Sequence, residues 1–88
     1  MKIMKEFSYV ITDREGIHAR PAGLLVKEAS KFASTITLKK GEKSGDAKRI
    51  FAVMGLAAKK DEEIRVIAEG SDENEAIFSM ETFLKANL

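Results

Sequence analysis

The stretch ARPAGLLVKEASKFASTITLK, residues 19–39, decides the fold, because the spacing of its apolar residues changes from helical to extended. Over residues 19–32 the apolar positions are Ala22, Leu25, Val26, Ala29 and Phe32. These positions recur three or four residues apart, which is typical of an amphipathic helix. Over residues 34–39 the apolar residues instead alternate with polar ones, which predicts a strand with one buried face.

The segments on either side of this stretch predict further strands. Residues 7–12 are β-branched and aromatic, and they alternate like a strand with one face in the core. A turn at residues 40–43 follows the strand at 34–39, and Gly41 can supply the positive φ that a hairpin needs. We therefore predict a short return strand at residues 43–46.

The second half of the chain predicts a helix, a strand and a helix. Residues 48–58 indicate a short helix capped by Asp46, and residues 63–68 a strand. Ser71 is the expected N-cap of the last helix. The order β-α-β-β-α-β-α predicts an α+β fold, a two-layer open-faced sandwich with the helices on one face of the sheet.

Composition excludes several classes of protein. The 88 residues predict a single domain, 1–88, and the net charge of +1 offers no bulk attraction to nucleic acid or to an anionic membrane. With no cysteine and one histidine, the chain cannot build a Cys-based or multi-His metal site. No apolar run is long enough to insert into a membrane, and residues 1–6 lack the apolar core of a signal peptide. We expect a cytoplasmic protein.

The run GIHARPA, residues 16–22, contains the only histidine, His18. Pro21 suits the first turn of a helix, so His18 is expected at the helix N-terminus, beside the backbone N–H groups of Ala19 and Arg20. The positive end of a helix favours a neutral, nucleophilic imidazole over an imidazolium. After phosphorylation, the same N–H groups and the Arg20 guanidinium would favour the added negative charge. The run therefore predicts a site for a covalently bound phosphoryl group.

This run resembles the active-site signature of the HPr family, the histidine phosphocarriers of the bacterial sugar phosphotransferase system. The segments KRIFAVMGL, residues 48–56, and AEGSDE, residues 68–73, are similar to the family's second helix and to the entry to its last helix. The resemblance covers essentially the whole chain. It implies a four-stranded antiparallel sheet in the order 1-4-2-3, with three helices on one face.

The resemblance also implies a function. Phosphorylated Enzyme I would transfer its phosphoryl group to Nδ1 of His18, and the chain would pass it to sugar-specific Enzyme II subunits of the A type. Arg20 matches the family's phosphoryl-binding arginine. The chain would then be a monomeric covalent carrier rather than a turnover enzyme, and it would need no cofactor.

Five positions match those at which the family docks both partners. They are Ala19, Gly23, Ile50, Phe51 and Met54. We expect partial exposure of Phe51, because Ile50 and Val53 already offer a buried side to the short helix. For Met54, a place in the core is about as consistent with the sequence.

Two positions depart from the family pattern. Arg49 stands where some relatives carry a regulatory serine, so control by a serine kinase is not expected there. Glu15 stands three residues before the histidine, where the family often has Ser or Asn. A carboxylate directed inward would repel a phosphoryl group, so we expect Glu15 to point to solvent.

Other functions remain open to the sequence. One is a small α+β regulatory or effector-binding module without covalent chemistry, and another is a paralogue in a regulatory phosphorelay. An acylphosphatase-like hydrolase lacks a second catalytic partner near His18. An RNA-binding sheet would need a set of exposed aromatic residues for base stacking, which the strand segments lack.

Overall fold

The computed structural model describes residues 4–88 and contains the predicted elements in the predicted order. The strands are Lys5–Val10 (β1), Thr35–Lys40 (β2), Lys43–Asp46 (β3) and Glu63–Glu69 (β4). The helices are Ala19–Ala29 (α1), Ile50–Gly55 (α2) and Glu73–Asn87 (α3). All neighbouring strands are antiparallel, and their order is β1-β4-β2-β3. This order confirms the topology that the family resemblance implies.

The core lies between one face of the sheet and the helices. Strand register places Leu38 of β2 beside Val66 of β4, and both side chains are fully buried. Residues from α1 and α3 pack against the same hydrophobic cluster: Ala22, Leu25, Ala29, Ala76, Met80 and Leu84. The alternate strand residues face solvent on what we term the open face. The predicted two-layer sandwich is thus confirmed.

The ends of β1 and α1 differ from the predictions made for them. β1 ends at Val10, yet the next residue, Ile11, is fully buried, as its place in the alternation predicts. α1 ends at Ala29 rather than near Phe32. The backbone N–H of Ser30 donates to the carbonyls of Val26 and Glu28, and these bonds close the last turn early.

The predicted caps of α2 and α3 are wrong. The N-cap of α2 is Arg49, whereas Asp46 lies further upstream and accepts the backbone N–H of Lys48 at 2.8 Å. The N-cap of α3 is Asp72 rather than Ser71. The Asp72 carboxylate does not bond its own helix, because it accepts hydrogen bonds from the loop before β2.

No helix in residues 4–88 is long and apolar enough to cross a membrane. Residues 1–3, part of the segment in which no signal peptide is expected, lie outside the described residues.

Candidate functional site

His18 is the N-cap of α1, where the sequence places it. Its backbone is extended, with φ −105° and ψ −177°, and its carbonyl accepts the first helical bond, from the N–H of Ala22 at 2.9 Å. Its side chain makes no capping hydrogen bond. The N–H groups of Ala19 and Arg20 precede the first intrahelical donor, and Pro21 has no N–H, so the helix begins with donors available to a ligand.

The loop that leads into His18 is fixed at both ends. The main-chain oxygen of Leu88 accepts the N–H groups of Thr12 and Asp13, at 2.6 and 2.8 Å. At the other end, the N–H of Ile17 donates to the carbonyl of Ala58 at 2.9 Å. Gly16 has φ +68°, and a Cβ there would lie 2.3 Å from that carbonyl oxygen. Only glycine fits this approach, so the loop holds His18 in a defined position.

Two carboxylates face the Nε2 atom of His18. Glu15 Oε2 lies 3.3 Å from it and Asp13 Oδ1 lies 4.0 Å from it. The Glu15 side chain is 68% exposed, as expected, but its carboxylate turns back toward the ring. The expectation that Glu15 points away to solvent is therefore wrong. Asp13 Oδ1 also accepts the Glu15 backbone N–H at 2.8 Å, and this short turn brings the two side chains to the ring.

This arrangement distinguishes the two ring nitrogens. Negative charge beside Nε2 favours the tautomer that carries its proton there, since a lone pair at that atom would be repelled. The lone pair then belongs to Nδ1, which has no hydrogen-bond partner in residues 4–88. In that tautomer the Nδ1 atom faces no carboxylate of the described chain and presents an available lone pair.

Arg20 is exposed, and no acceptor in the described chain engages its guanidinium. Together with His18 it lines a depression of about 230 Å³. The other lining residues are Asp13, Pro21, Leu24 and Asn87. A free guanidinium beside a nucleophilic imidazole and open backbone N–H groups can hold a phosphoryl group. In residues 4–88, no three His, Asp or Glu side chains lie close enough together to bind a metal ion.

The positions matched to partner docking lie on α1 and α2. Phe51 is 86% exposed, more than the sequence led us to expect, while Ile50 and Met54 are 36% and 37% exposed. A Cβ on Gly23 would lie 3.9 Å from the Ile50 side chain, so α1 and α2 approach each other there. Ala19, at the start of α1, is exposed as well. We term the five residues, Ala19, Gly23, Ile50, Phe51 and Met54, the apolar patch.

Arg49 occupies an exposed position at the start of α2. Its side chain is 80% exposed, and its Nε lies 3.9 Å from Asp46 Oδ2. The nearby carboxylate offsets the unfavourable placement of a cation at a helix N-terminus. An exposed pair of this kind contributes little stability.

Sequence reasoning missed three residues around His18: Asp13, Leu24 and Asn87. Leu24 is 44% exposed. Because it lies outside the apolar stripe of α1, the sequence alone could have predicted its exposure. Asp13 and Asn87 carry no comparable local signal. They reach the site through the bonds between Leu88 and the loop before α1.

Comparison with known proteins finds relatives that match most of the chain. A family model described as "PTS HPr component phosphorylation site" matches residues 5–86. The phosphocarrier protein HPr of Mycoplasma capricolum subsp. capricolum is 51% identical over 74 residues, which cover 84% of this chain and 83% of the relative.

Solved structures also match. A histidine-containing phosphocarrier protein of Mycoplasma has a TM-score of 0.91 at 45% identity, covering 93% of both chains. An HPr dimer from Thermoanaerobacter tengcongensis has a TM-score of 0.75 at 39% identity, covering 93% of this chain and 94% of that one. These matches do not favour a regulatory module without covalent chemistry. The chain belongs to the HPr family of phosphocarrier proteins of the phosphotransferase system.

Proposed function

We propose that His18 is the residue through which this phosphocarrier accepts and donates the phosphoryl group. The observation that carries the proposal is the single histidine at the N-cap of α1, with two carboxylates beside Nε2. The lone pair of Nδ1 attacks the phosphorus of phosphorylated Enzyme I, and the bond between phosphorus and Enzyme I breaks. The Nε2–H remains in place, so the step needs no separate base.

The phosphoryl group is held by donors that are free before it arrives. The N–H groups of Ala19 and Arg20 are available at the positive end of α1, and the Arg20 guanidinium offers two parallel donors. Because the Nε2–H is retained, the phosphorylated ring is positively charged, and the carboxylates of Asp13 and Glu15 stabilise it at Nε2, although they repel the phosphoryl group on the other side of the ring. Opposed terms of this kind suit a carrier, which must accept the group and also release it to an Enzyme II subunit.

The test is incubation with Enzyme I and phosphoenolpyruvate, read by intact-mass spectrometry and by peptide mapping. We expect the mass of one phosphoryl group on the peptide that contains His18, as an acid-labile and alkali-stable adduct. His18→Ala should give no labelling while its amide NMR spectrum remains that of a folded domain. Undiminished labelling of a folded His18→Ala variant would overturn the assignment.

We infer that the apolar patch docks both Enzyme I and the A-type Enzyme II subunit. Its support is the high exposure of Phe51, beside a half-exposed Met54 that can adapt to different partner surfaces. Phe51→Asp should weaken both interactions while the domain stays folded. Phe78→Asp is the matched control, because Phe78 is 72% exposed but lies on α3. Equal binding losses in the two variants would contradict a patch confined to α1 and α2.

We further infer that the chain works as a cytoplasmic monomer in sugar uptake and has no turnover of its own. Its donor and acceptors act on it one at a time, which a monomer with one exposed site can serve. The dimer of the Thermoanaerobacter tengcongensis relative makes the oligomeric state worth measuring. Light scattering should give the mass of one chain, 9.7 kDa, over the concentration range of the transfer assay.

A further inference from the structure

The open face of the sheet pairs two cations that form no ion pair within residues 4–88. Lys39 of β2 and Arg65 of β4 are direct partners across the two strands. Neither side chain has an ion-pair or hydrogen-bond partner in residues 4–88. Like charges placed directly opposite each other destabilise a sheet. A pair that opposes folding and has no compensating contact within the described chain is expected to serve binding.

Hydroxyl groups extend this pair into a row across the whole sheet. Ser8 of β1 is the direct partner of Arg65, and Ser44 of β3 is the direct partner of Lys39. Directly paired residues share a face, so all four side chains lie on the open face. The row Ser8, Arg65, Lys39, Ser44 therefore offers only donors and neutral groups to a ligand, with its positive charge in the middle.

A depression of about 280 Å³ lies over one side of this row. It is lined by Lys39, Gly41, Glu63 and Arg65. Gly41, with φ +60° in the turn between β2 and β3, has no side chain to fill the space. Glu63 is two residues before Arg65 on the same strand and so lies on the same face. The depression thus joins two cations to one carboxylate.

We propose that this depression binds a small phosphate monoester that carries hydroxyl groups. The Arg65 guanidinium would bind two phosphoryl oxygens through parallel N–H donors, and the Lys39 ammonium would neutralise the remaining charge. The Glu63 carboxylate would accept a hydrogen bond from a ligand hydroxyl. The site is distinct from that at His18, because α1 packs on the other face of the sheet.

The proposal is tested by titrating the 15N-labelled protein with inorganic phosphate, glucose 6-phosphate and glucose at constant ionic strength. We expect saturable changes in the amide signals of Ser8, Lys39, Ser44 and Arg65 with both phosphates, and none with glucose. Glucose 6-phosphate should bind more tightly than phosphate, because only the ester has a hydroxyl for Glu63. Arg65→Gln should weaken binding roughly tenfold, as expected for the loss of a charge-assisted contact.

The control is Lys27→Gln, which removes an exposed cation from the last turn of α1, on the opposite side of the sheet. Its affinity for glucose 6-phosphate should equal that of the wild type. If Lys27→Gln and Arg65→Gln weakened binding of glucose 6-phosphate equally, the loss would be due to net charge alone, and the proposed site would be overturned. Linear, unsaturable changes, or changes confined to His18 and Arg20, would overturn it as well. Equal affinity for inorganic phosphate and glucose 6-phosphate would contradict the proposed hydrogen bond between Glu63 and a ligand hydroxyl, and with it the preference for an ester.

Discussion

Helices α1 and α3 begin in opposite ways. The start of α3 carries negative charge, which the helix dipole favours: Glu73 and Glu75 lie in its first turn, and Glu73 also accepts the N–H of Gly70 at 3.1 Å. Neither helix has a side-chain cap, but the start of α1 also has no acidic residue in its first turn. Its exposed charge is the cation Arg20, which opposes the helix dipole.

The two helix starts thus differ in whether the first turn supplies the negative charge that a helix N-terminus favours. At α3, the N-cap Asp72 also joins two parts of the fold, since its carboxylate accepts the N–H groups of Ala33 and Ser34, each at 2.9 Å, and the Ser34 hydroxyl. At α1, residues 4–88 supply no acidic residue in the first turn. A phosphoryl group on His18 would supply the negative charge, so the terminus gains its compensation only in the phosphorylated state.

The largest expected effect follows from removing the cation at the start of α1. Arg20→Ala should slow phosphoryl transfer roughly ten- to a hundredfold, as the loss of one charge-assisted contact of about 1.5–3 kcal/mol predicts. Its melting temperature should change little, because the guanidinium has no partner in the described chain. Transfer kinetics and thermal unfolding of the same samples measure both quantities.

Two further variants show whether Arg20 acts through its shape or its charge. Arg20→Lys keeps the charge but loses the paired donors, so it should restore only part of the rate. Lys5→Ala, which removes an exposed cation from the start of β1, away from α1 and α2, is the control and should transfer at the wild-type rate. A wild-type rate in Arg20→Ala would make Arg20 a solvated helix residue and would erase the contrast with α3.

The opposite result is expected at the start of α3. Asp72→Asn should lower the melting temperature and leave transfer unchanged, because the residue holds the loop before β2 and lies outside the His18 site. The hydrogen bond from the Ser34 hydroxyl, followed by that from the Ala33 N–H, lowers the pKa of Asp72 from its ordinary value of 3.8. A lowered folded pKa means that the stabilisation is present above that ordinary value and is lost as pH falls through the folded pKa.

The difference in melting temperature between wild type and Asp72→Asn should therefore be largest near neutral pH and should disappear under acidic conditions. Thermal unfolding as a function of pH measures it. Glu75→Gln is the control, because it removes a carboxylate from the same first turn that does not join the two segments. If Glu75→Gln lowered the melting temperature as much as Asp72→Asn, the helix dipole rather than the link to Ser34 would explain the stability of this terminus.

The two helix starts also differ in how far the sequence predicts them. At α1, the apolar stripe, Pro21 and the single histidine are local signals, and the structure places His18 and Pro21 as predicted, while the stripe ends at Ala29 and leaves Phe32 outside the helix. At α3, the sequence indicates Ser71 as the cap because Ser is a common N-cap, whereas Asp72 takes that position. The partners of Asp72 are 38 and 39 residues away in sequence, and no local pattern contains such a contact.

Glu15 escapes prediction for a related reason. Repulsion between a carboxylate and a phosphoryl group argues for an outward side chain, but it says nothing of the unphosphorylated ring. In that state the Nε2–H is the nearest partner for the carboxylate. The position of the side chain thus depends on a state of His18 that the residue pattern alone does not specify.

The smallest expected effect lies at this carboxylate. Glu15→Gln should shift the tautomers of neutral His18 toward the form with the proton on Nδ1, because the negative charge that favours Nε2–H is removed. Since Glu15 is mostly exposed, the tautomer ratio should change only about 1.5- to 5-fold, which corresponds to the free energy that an exposed ion pair contributes. The nitrogen chemical shifts of the neutral imidazole give this ratio directly.

The control for Glu15→Gln is Glu42→Gln, which removes an exposed carboxylate from the turn between β2 and β3 and should leave the tautomer ratio unchanged. The tautomer measurement needs no Enzyme I, so it tests the unphosphorylated ring separately from transfer. An unchanged tautomer ratio in Glu15→Gln would mean that Asp13 or the helix terminus alone keeps the proton on Nε2. A shifted ratio would mean that Glu15, a residue outside α1, influences which nitrogen of His18 carries the proton. At the start of α3, by contrast, Asp72 forms hydrogen bonds that stabilise the fold.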